Sequence, residues 1–214
     1  MRIDIPALHG HQADHVVFRE TTWDVYESVL RDYDEDPTRV NFDGSTLEIM
    51  TLSIEHEAFK EFIGRMIGEV AMEFQTAMLC RGSTTLKLQA VQKGLEADQC
   101  FWIQNQAAVR GVRRLDLEVH PPPDLVVEVD ITHAVVDRES IYASLGVPEM
   151  WHFDHQTKLS AWKLADGAWD RIEYSAALPM IRLSDLNKFL ERIPQEHDIA
   201  VLTDFRAWLR TLPR

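Results

Sequence analysis

The chain has 214 residues, of which 45% are hydrophobic and 27% charged, and a formal net charge of −13. That is an ordinary globular composition, long enough for one full core and short for two domains. The acidic balance excludes a general duplex-coating protein, which needs Lys and Arg to displace counterions, but leaves room for an enzyme with a local basic rim.

Cys80 and Cys100 are the only cysteines and form no CxxC pair. A disulfide framework and a cysteine zinc site are therefore not expected, and a reducing, cytoplasmic setting fits. No apolar run approaches the ~18 residues of a membrane span, and residues 1–20 lack a signal-peptide apolar stretch. Those residues read as an N-terminal extension to one domain covering 1–214, with residues 195–214 as a C-terminal helix. His9, His11 and His15 in that extension offer metal donors, but a mobile segment is the better reading.

"TTWDVYESVLRDY" places Trp23, Tyr26 and Leu30 at helical spacing behind a Thr cap. "RVNFDGSTLEIMT" carries Asp43-Gly44 between strand-like runs, a hairpin signal. In the following segment Ser53 is the expected N-cap, with Glu55 and Glu57 where the helix dipole favours acids. Phe59, Phe62, Ile63, Met66, Ile67 and Val70 form the stripe of a long amphipathic helix. "STTLKL" and "ADQCFWIQ" read as strands joined by a loop near Lys93-Gly94, and "GVRRLDLEVH" as a further extended piece.

"AVVDRESIYASLG" predicts a helix ended by Gly146, with Ile141, Tyr142 and Leu145 inward. "EMWHFD" and "KLSAWKLADGAWDRIEY" read as strands with a turn at Asp166-Gly167. Two helices, "LSDLNKFLERI" and "DIAVLTDFRAWLRTL", close the chain. Interleaved short strands and helices place the protein in the mixed α/β or α+β class with one central sheet.

The most informative stretch is "PPPDLVVEVDITH". Side chains alternate along a strand, so Leu125, Val127, Val129 and Ile131 share an apolar face. Asp124, Val126, Glu128 and Asp130 share the other. Residues two apart on one face lie ~6.6 Å apart, so Glu128 and Asp130 can converge on one ion. Asp124 lies ~13 Å from Glu128 along the strand and joins only through a bend. Packed carboxylates need a cation, and all-oxygen ligands suit Mg²⁺ or Mn²⁺. An edge strand with a wet face would alternate identically and need no ion. Asp98 heads another apolar run, where a turn residue is the commoner reading.

Three stretches together, "GSTTLKLQAVQKGLEADQCFWIQN", "PPPDLVVEVDIT" and "DRESIYASLGVPEMWHFD", resemble the Uma-two-type restriction endonuclease family of the PD-(D/E)xK nuclease superfamily. The resemblance runs from about Thr22 to Phe189 and is most specific between Gly82 and Asp154. The hairpin "FDGSTLEIM" and the helix near His56 fit it more loosely. It implies a restriction-endonuclease-like fold, a central mixed sheet flanked by helices, and metal-dependent hydrolysis of DNA phosphodiesters. The family's acids fall on Asp98, Asp124 and Glu128, with His56 or Glu57 as a further contributor. A metal would sit on Asp98 and Glu128, with Asp130 as a third ligand.

The superfamily lysine is absent, because Asp130 stands two residues after Glu128. The family's basic residue falls instead on Arg138, four residues before Tyr142. Arginine stays charged and cannot act as a base, but it can neutralise charge on a phosphate. Lys87 is a second candidate for that task. Arg110, Arg113 and Arg114 offer a positive rim for a nucleic-acid backbone, or simply a solvated turn. His152 is either at the site or on a strand surface. The six tryptophans read as core or interface anchors rather than base-stacking platforms.

Three functions follow. The first is a Mg²⁺-dependent endonuclease, expected to work as a homodimer because cutting both strands takes two sites. The second is a catalytically degenerate nuclease-fold module that binds nucleic acid or protein. The third is a hydrolase of small phosphorylated substrates. Phe205, Trp208 and Leu209 offer either a partner face or closure of the monomer core.

Overall fold

The structure is a computed structural model that describes residues 15–33, 38–131, 135–156 and 158–213. Its first part is β1 (His15–Phe18), α1 (Trp23–Asp32), β2 (Arg39–Phe42), β3 (Leu47–Met50) and α2 (Ile54–Glu73). Five strands and one short helix follow: β4 (Leu79–Cys80), β5 (Thr84–Leu88), β6 (Lys93–Ala97), β7 (Gln99–Trp102), α3 (Gln106–Val109) and β8 (Leu125–Asp130). The last part is α4 (Arg138–Ser144), β9 (Glu149–Asp154), β10 (Lys158–Ala165), β11 (Ala168–Ile172), α5 (Leu183–Leu190) and α6 (Asp198–Leu209).

Local chemistry explains the main elements. Ser53 caps α2 by accepting a hydrogen bond from the His56 amide at 3.1 Å. All six residues of the predicted α2 stripe are buried. In the β2–β3 turn Asp43 Oδ1 accepts from the amides of Ser45 and Thr46, and Gly44 takes φ +106°. Asp166 and Gly167 both adopt positive φ, as a tight β10–β11 hairpin demands. Gly146 (φ +74°) follows α4 as expected.

The expected central mixed sheet is present, in the order β11-β10-β9-β8-β7-β4, and β8 and β9 are its parallel pair. A second sheet, antiparallel throughout, was not anticipated; its order is β1-β3-β2-β6-β5. The chain crosses from one sheet to the other at Asp98, the single residue between β6 and β7. A run of strand residues reads the same in sequence whether it stays in one sheet or changes sheets.

Three further details differ from expectation. Lys93-Gly94 lies inside β6, and the turn is Gln89–Gln92, with Gln92 at φ +50°. Gly94 is required there because a Cβ would collide with the Tyr26 hydroxyl and crowd Lys87. Residues 111–120 form turns rather than a strand, and His120 Nδ1 bonds within that segment to Asp116. Residues 15–18 of the expected N-terminal extension pair with β3 as an edge strand, while His9 and His11 lie outside the described residues.

The apolar face of β8, Leu125, Val127 and Val129, packs on the α2 stripe and on α5 and α6. Phe205 and Leu209 of α6 are buried in that core with Trp208 against it, so this face closes the monomer. Arg206 pairs with Glu69, and Arg65 with Asp198, to tie α6 to α2. On the opposite face, Val126, Cys100, Trp102 and Met150 pack with α4 and with Leu86 and Leu95 of the second sheet. Trp23, Tyr26 and Val29 of α1 cover β2 and β3 in a third cluster. Among the described residues no helix is long and apolar enough to cross a membrane.

Candidate active site between the two sheets

The β7–β8 register pairs Gln99 with Val127. Continued by one residue, it sets Asp98 opposite Glu128. Directly opposed residues have Cβ atoms ~5 Å apart, and like charges there are unfavourable. Both carboxylates are also buried, each 2% exposed. The chain therefore places two acids face to face away from water, against its own stability.

Each acid is held by groups from other elements. Asp98 Oδ2 accepts from His56 Nε2 at 3.0 Å and from the Val129 amide at 2.9 Å. Its Oδ1 faces Arg39 Nε at 4.0 Å. Glu128 Oε2 accepts from Arg138 Nη1 at 2.6 Å, and Oε1 accepts from the Tyr142 hydroxyl. Arg138 and Tyr142 lie one turn apart on α4, so one helix face delivers both donors. Arg138 Nη2 also reaches Met50 Sδ on β3 at 2.9 Å. The guanidinium thus spans from the mixed sheet to the antiparallel one.

These contacts set the ionisation states. Burial pushes the Glu128 carboxyl up, and the negative charge of Asp98 pushes the same way; Arg138 and Tyr142 only partly offset them. Burial also acts to raise Asp98, but the His56 hydrogen bond and charge, the Arg138 charge and the Val129 N–H hold it below the usual range. Burial works against the His56 imidazolium, yet Asp98, Glu57 and Glu128 lift its pKa above the ordinary value. Burial and the neighbouring Glu128 drive the Tyr142 phenol well up, so it is a hydrogen-bond donor.

The site opens into a pocket of about 230 Å³ lined by Glu128, Asp130, Val136, Arg138, Met150 and His152, among others. His152 stands beside Glu128 across the β8–β9 pair. On the other side of Arg138, a crevice of about 10 Å³ touches His56, Asp130 and Met50. Asp130 borders both spaces.

Of the residues singled out in the sequence, Asp98, Glu128, Arg138 and His56 come together here, with Asp130 at the pocket wall. Glu57 pairs with Lys60 at 2.5 Å and lies 3.4 Å from His56 Nδ1. Asp124 is engaged elsewhere: it accepts from the amides of Ile103 and Asn105 and from Asn105 Nδ2, tying down the turn after β7. Lys87 pairs with Glu27 at 2.6 Å in an open cleft of about 940 Å³ shared with Arg31, Arg114 and His120. Arg110, Arg113 and Arg114 are exposed.

Sequence reasoning missed Arg39, Tyr142 as a donor, and Glu48. Arg39 bonds Glu96 and Ser83, and so holds the crossover on which Asp98 sits. Glu48 is fully buried on β3, accepting from the Val135 amide at 2.9 Å and Asn41 Nδ2 at 3.3 Å. "LEIM" alternates like a half-wet strand, and only the second sheet's position reveals that this glutamate is dry.

Among the described residues no three His, Cys, Asp or Glu side chains converge as a ready metal cage. A Mg²⁺ site does not require one, since one or two carboxylates with waters and substrate phosphates suffice. Asp98 and Glu128 are the two carboxylates here that could offer that donor set. The upward displacement of Glu128 by Asp98 is the electrostatic strain a cation between them would relieve.

The mixed α+β architecture of two sheets and flanking helices is that of the restriction-endonuclease-like class. The chain belongs to the Uma2 family, whose model, described as "Putative restriction endonuclease", matches residues 6–191. No curated protein matches the chain.

Proposed function

We propose that the protein is a metal-dependent endonuclease that hydrolyses DNA phosphodiester bonds. The observation that carries this reading is the buried Asp98–Glu128 pair, of which Glu128 lines the pocket beside Arg138. Asp98 and Glu128 would hold Mg²⁺ or Mn²⁺, with Asp130 as the added ligand. When bound, such a metal lowers the pKa of water and offsets phosphate charge. The rest falls to the chain. Val129 N–H and His56 fix the Asp98 carboxylate, and Tyr142 fixes Glu128. Arg138, charged at every working pH, balances negative charge gathered on a phosphate at the pocket wall. His152 lines the entrance. Two chains working as a homodimer would cut both strands. The free thiols Cys80 and Cys100 support a reducing, cytoplasmic setting.

The test is cleavage of supercoiled plasmid and single-stranded DNA with Mg²⁺ or Mn²⁺, run beside Asp98→Ala and Glu128→Ala. The expected result is metal-dependent cutting that falls on the order of 100-fold or more in either variant. A second reading has its own support: Arg138 and His56 already neutralise both acids. On that reading the protein is a binding module of nuclease fold. Folded parent protein that neither cuts nor takes up Mn²⁺ would replace the enzyme with the module.

A further inference from the structure

Arg138 occupies the place a metal would need. Its Nη1 bonds Glu128 Oε2 at 2.6 Å, and its Nε is buried with no hydrogen-bond partner. A cation entering beside Glu128 would be repelled by this guanidinium, so binding requires Arg138 to move. A buried guanidinium cannot move to an apolar place, because an unpaired buried charge costs several kcal/mol.

The antiparallel sheet supplies a destination. Arg138 Nη2 already touches Met50 Sδ at 2.9 Å. Glu48 is two residues earlier on β3, hence on the same strand face. It is fully buried, and among the described residues its two oxygens receive only neutral donors, the Val135 amide and Asn41 Nδ2. Val135 lies just ahead of α4, so Glu48 is tied to the segment that leads into Arg138. Among the described residues no cation is bonded to Glu48, and its charge is felt at Arg138. A buried carboxylate with no cation partner among the described residues, next to a guanidinium that has to be displaced, has a use in that displacement.

We propose that Glu48 is the receiving carboxylate for Arg138: metal binding at Asp98 and Glu128 transfers the guanidinium from Glu128 across the sheet interface to Glu48. The inference rests on the metal-dependent reading above and assigns Glu48 a positioning role in it. In the metal-free state Arg138 stands in for the cation beside Glu128. In the loaded state the Arg138–Glu48 pair holds the positive charge at the edge of the pocket, toward a bound phosphate.

Mn²⁺ titration followed by loss of the free-ion EPR signal tests this without reference to cleavage. The proteins are the parent, Arg138→Met, Glu48→Gln and the double variant, each checked for native circular dichroism. Removing the competing guanidinium tightens Mn²⁺ binding about tenfold. Glu48→Gln weakens binding about tenfold in the parent background and by no more than about twofold in the Arg138→Met background. Equal weakening in both backgrounds would make Glu48 a ligand and overturn the transfer. Unchanged affinity in Arg138→Met would show that Arg138 does not compete, with the metal reading intact. No Mn²⁺ uptake by any folded protein would overturn the metal reading and the transfer together. Should Arg138→Met fail to fold, a crystal structure of the parent with Mn²⁺ decides: the guanidinium is expected on Glu48, and a guanidinium still bonded to Glu128 overturns the proposal.

Discussion

Tyr142→Phe is a clean probe of the site because it removes one oxygen and leaves the ring that packs in the α4 core. Tyr142 is fully buried, and its hydroxyl is the donor to Glu128 Oε1. Losing it leaves a buried carboxylate oxygen unsatisfied, which costs about 1–3 kcal/mol. For a domain of this size that corresponds to a melting temperature lower by about 2–12 °C. Glu128 has an escape: it can bind a proton, at about 1.4 kcal/mol per unit of pH above its pKa. Because burial and Asp98 already raise that pKa, the escape becomes cheap on mild acidification. The sign follows. The variant's deficit is full above the raised value, where Glu128 is ionised, and shrinks as pH falls through it. Urea unfolding of both proteins between pH 5 and 8, without metal, measures it. Equal stability at pH 8, or a deficit that does not change with pH, would refute the claim that this hydroxyl serves an ionised, buried Glu128.

Gly94→Ala is expected to lose about 1–3 kcal/mol through overpacking against Tyr26. Tyr26→Phe, which deletes a buried hydroxyl that has no hydrogen-bond partner among the described residues, should restore part of that loss in a double variant melted beside the singles. Asp124→Ala releases the Ile103 and Asn105 amides and should destabilise by about 2 kcal/mol or more, while Mn²⁺ affinity stays within about twofold. A large loss of affinity would return Asp124 to the site. Glu149 accepts from Trp151 Nε1 and the Ala177 amide, yet burial raises its carboxyl above the usual range. A raised acid costs the fold stability as pH climbs from the ordinary glutamate range through the raised value. Urea midpoints from pH 4 to 8 should fall less steeply with rising pH in Glu149→Gln than in the parent, the remainder coming from Glu128.

The elements with short-range causes were legible. The Ser53 cap, the α2 stripe, the Asp43-Gly44 and Asp166-Gly167 turns and the Gly146 stop each follow from chemistry within a few residues. The two-faced β8 was legible too, because alternation is local. What escaped depends on neighbours remote in sequence. Gly94 looks like a turn residue until Tyr26 is packed on it. The acids divided along the same line. Glu128 and Asp98 were named, the latter only through family resemblance, because its partner His56 is 42 positions away. Asp124 has the same residue type and the same face, but a turn after β7 claims its oxygens. Glu48 carried no signal, since burial came from a sheet that local patterning does not predict.

The crossover at Asp98 has a consequence for how the protein is made. One residue belongs to neither sheet and is positioned by both, through Arg39 from one side and the Val129 amide from the other. Its surroundings are drawn from residues 39 to 142, contacts far apart along the chain, which close late in folding. A chain emerging from the ribosome therefore carries the acids long before it carries their arrangement. The arrangement is complete only when α4 has docked over both sheets, so a chain that ends before α4 holds both acids without the donors to Glu128.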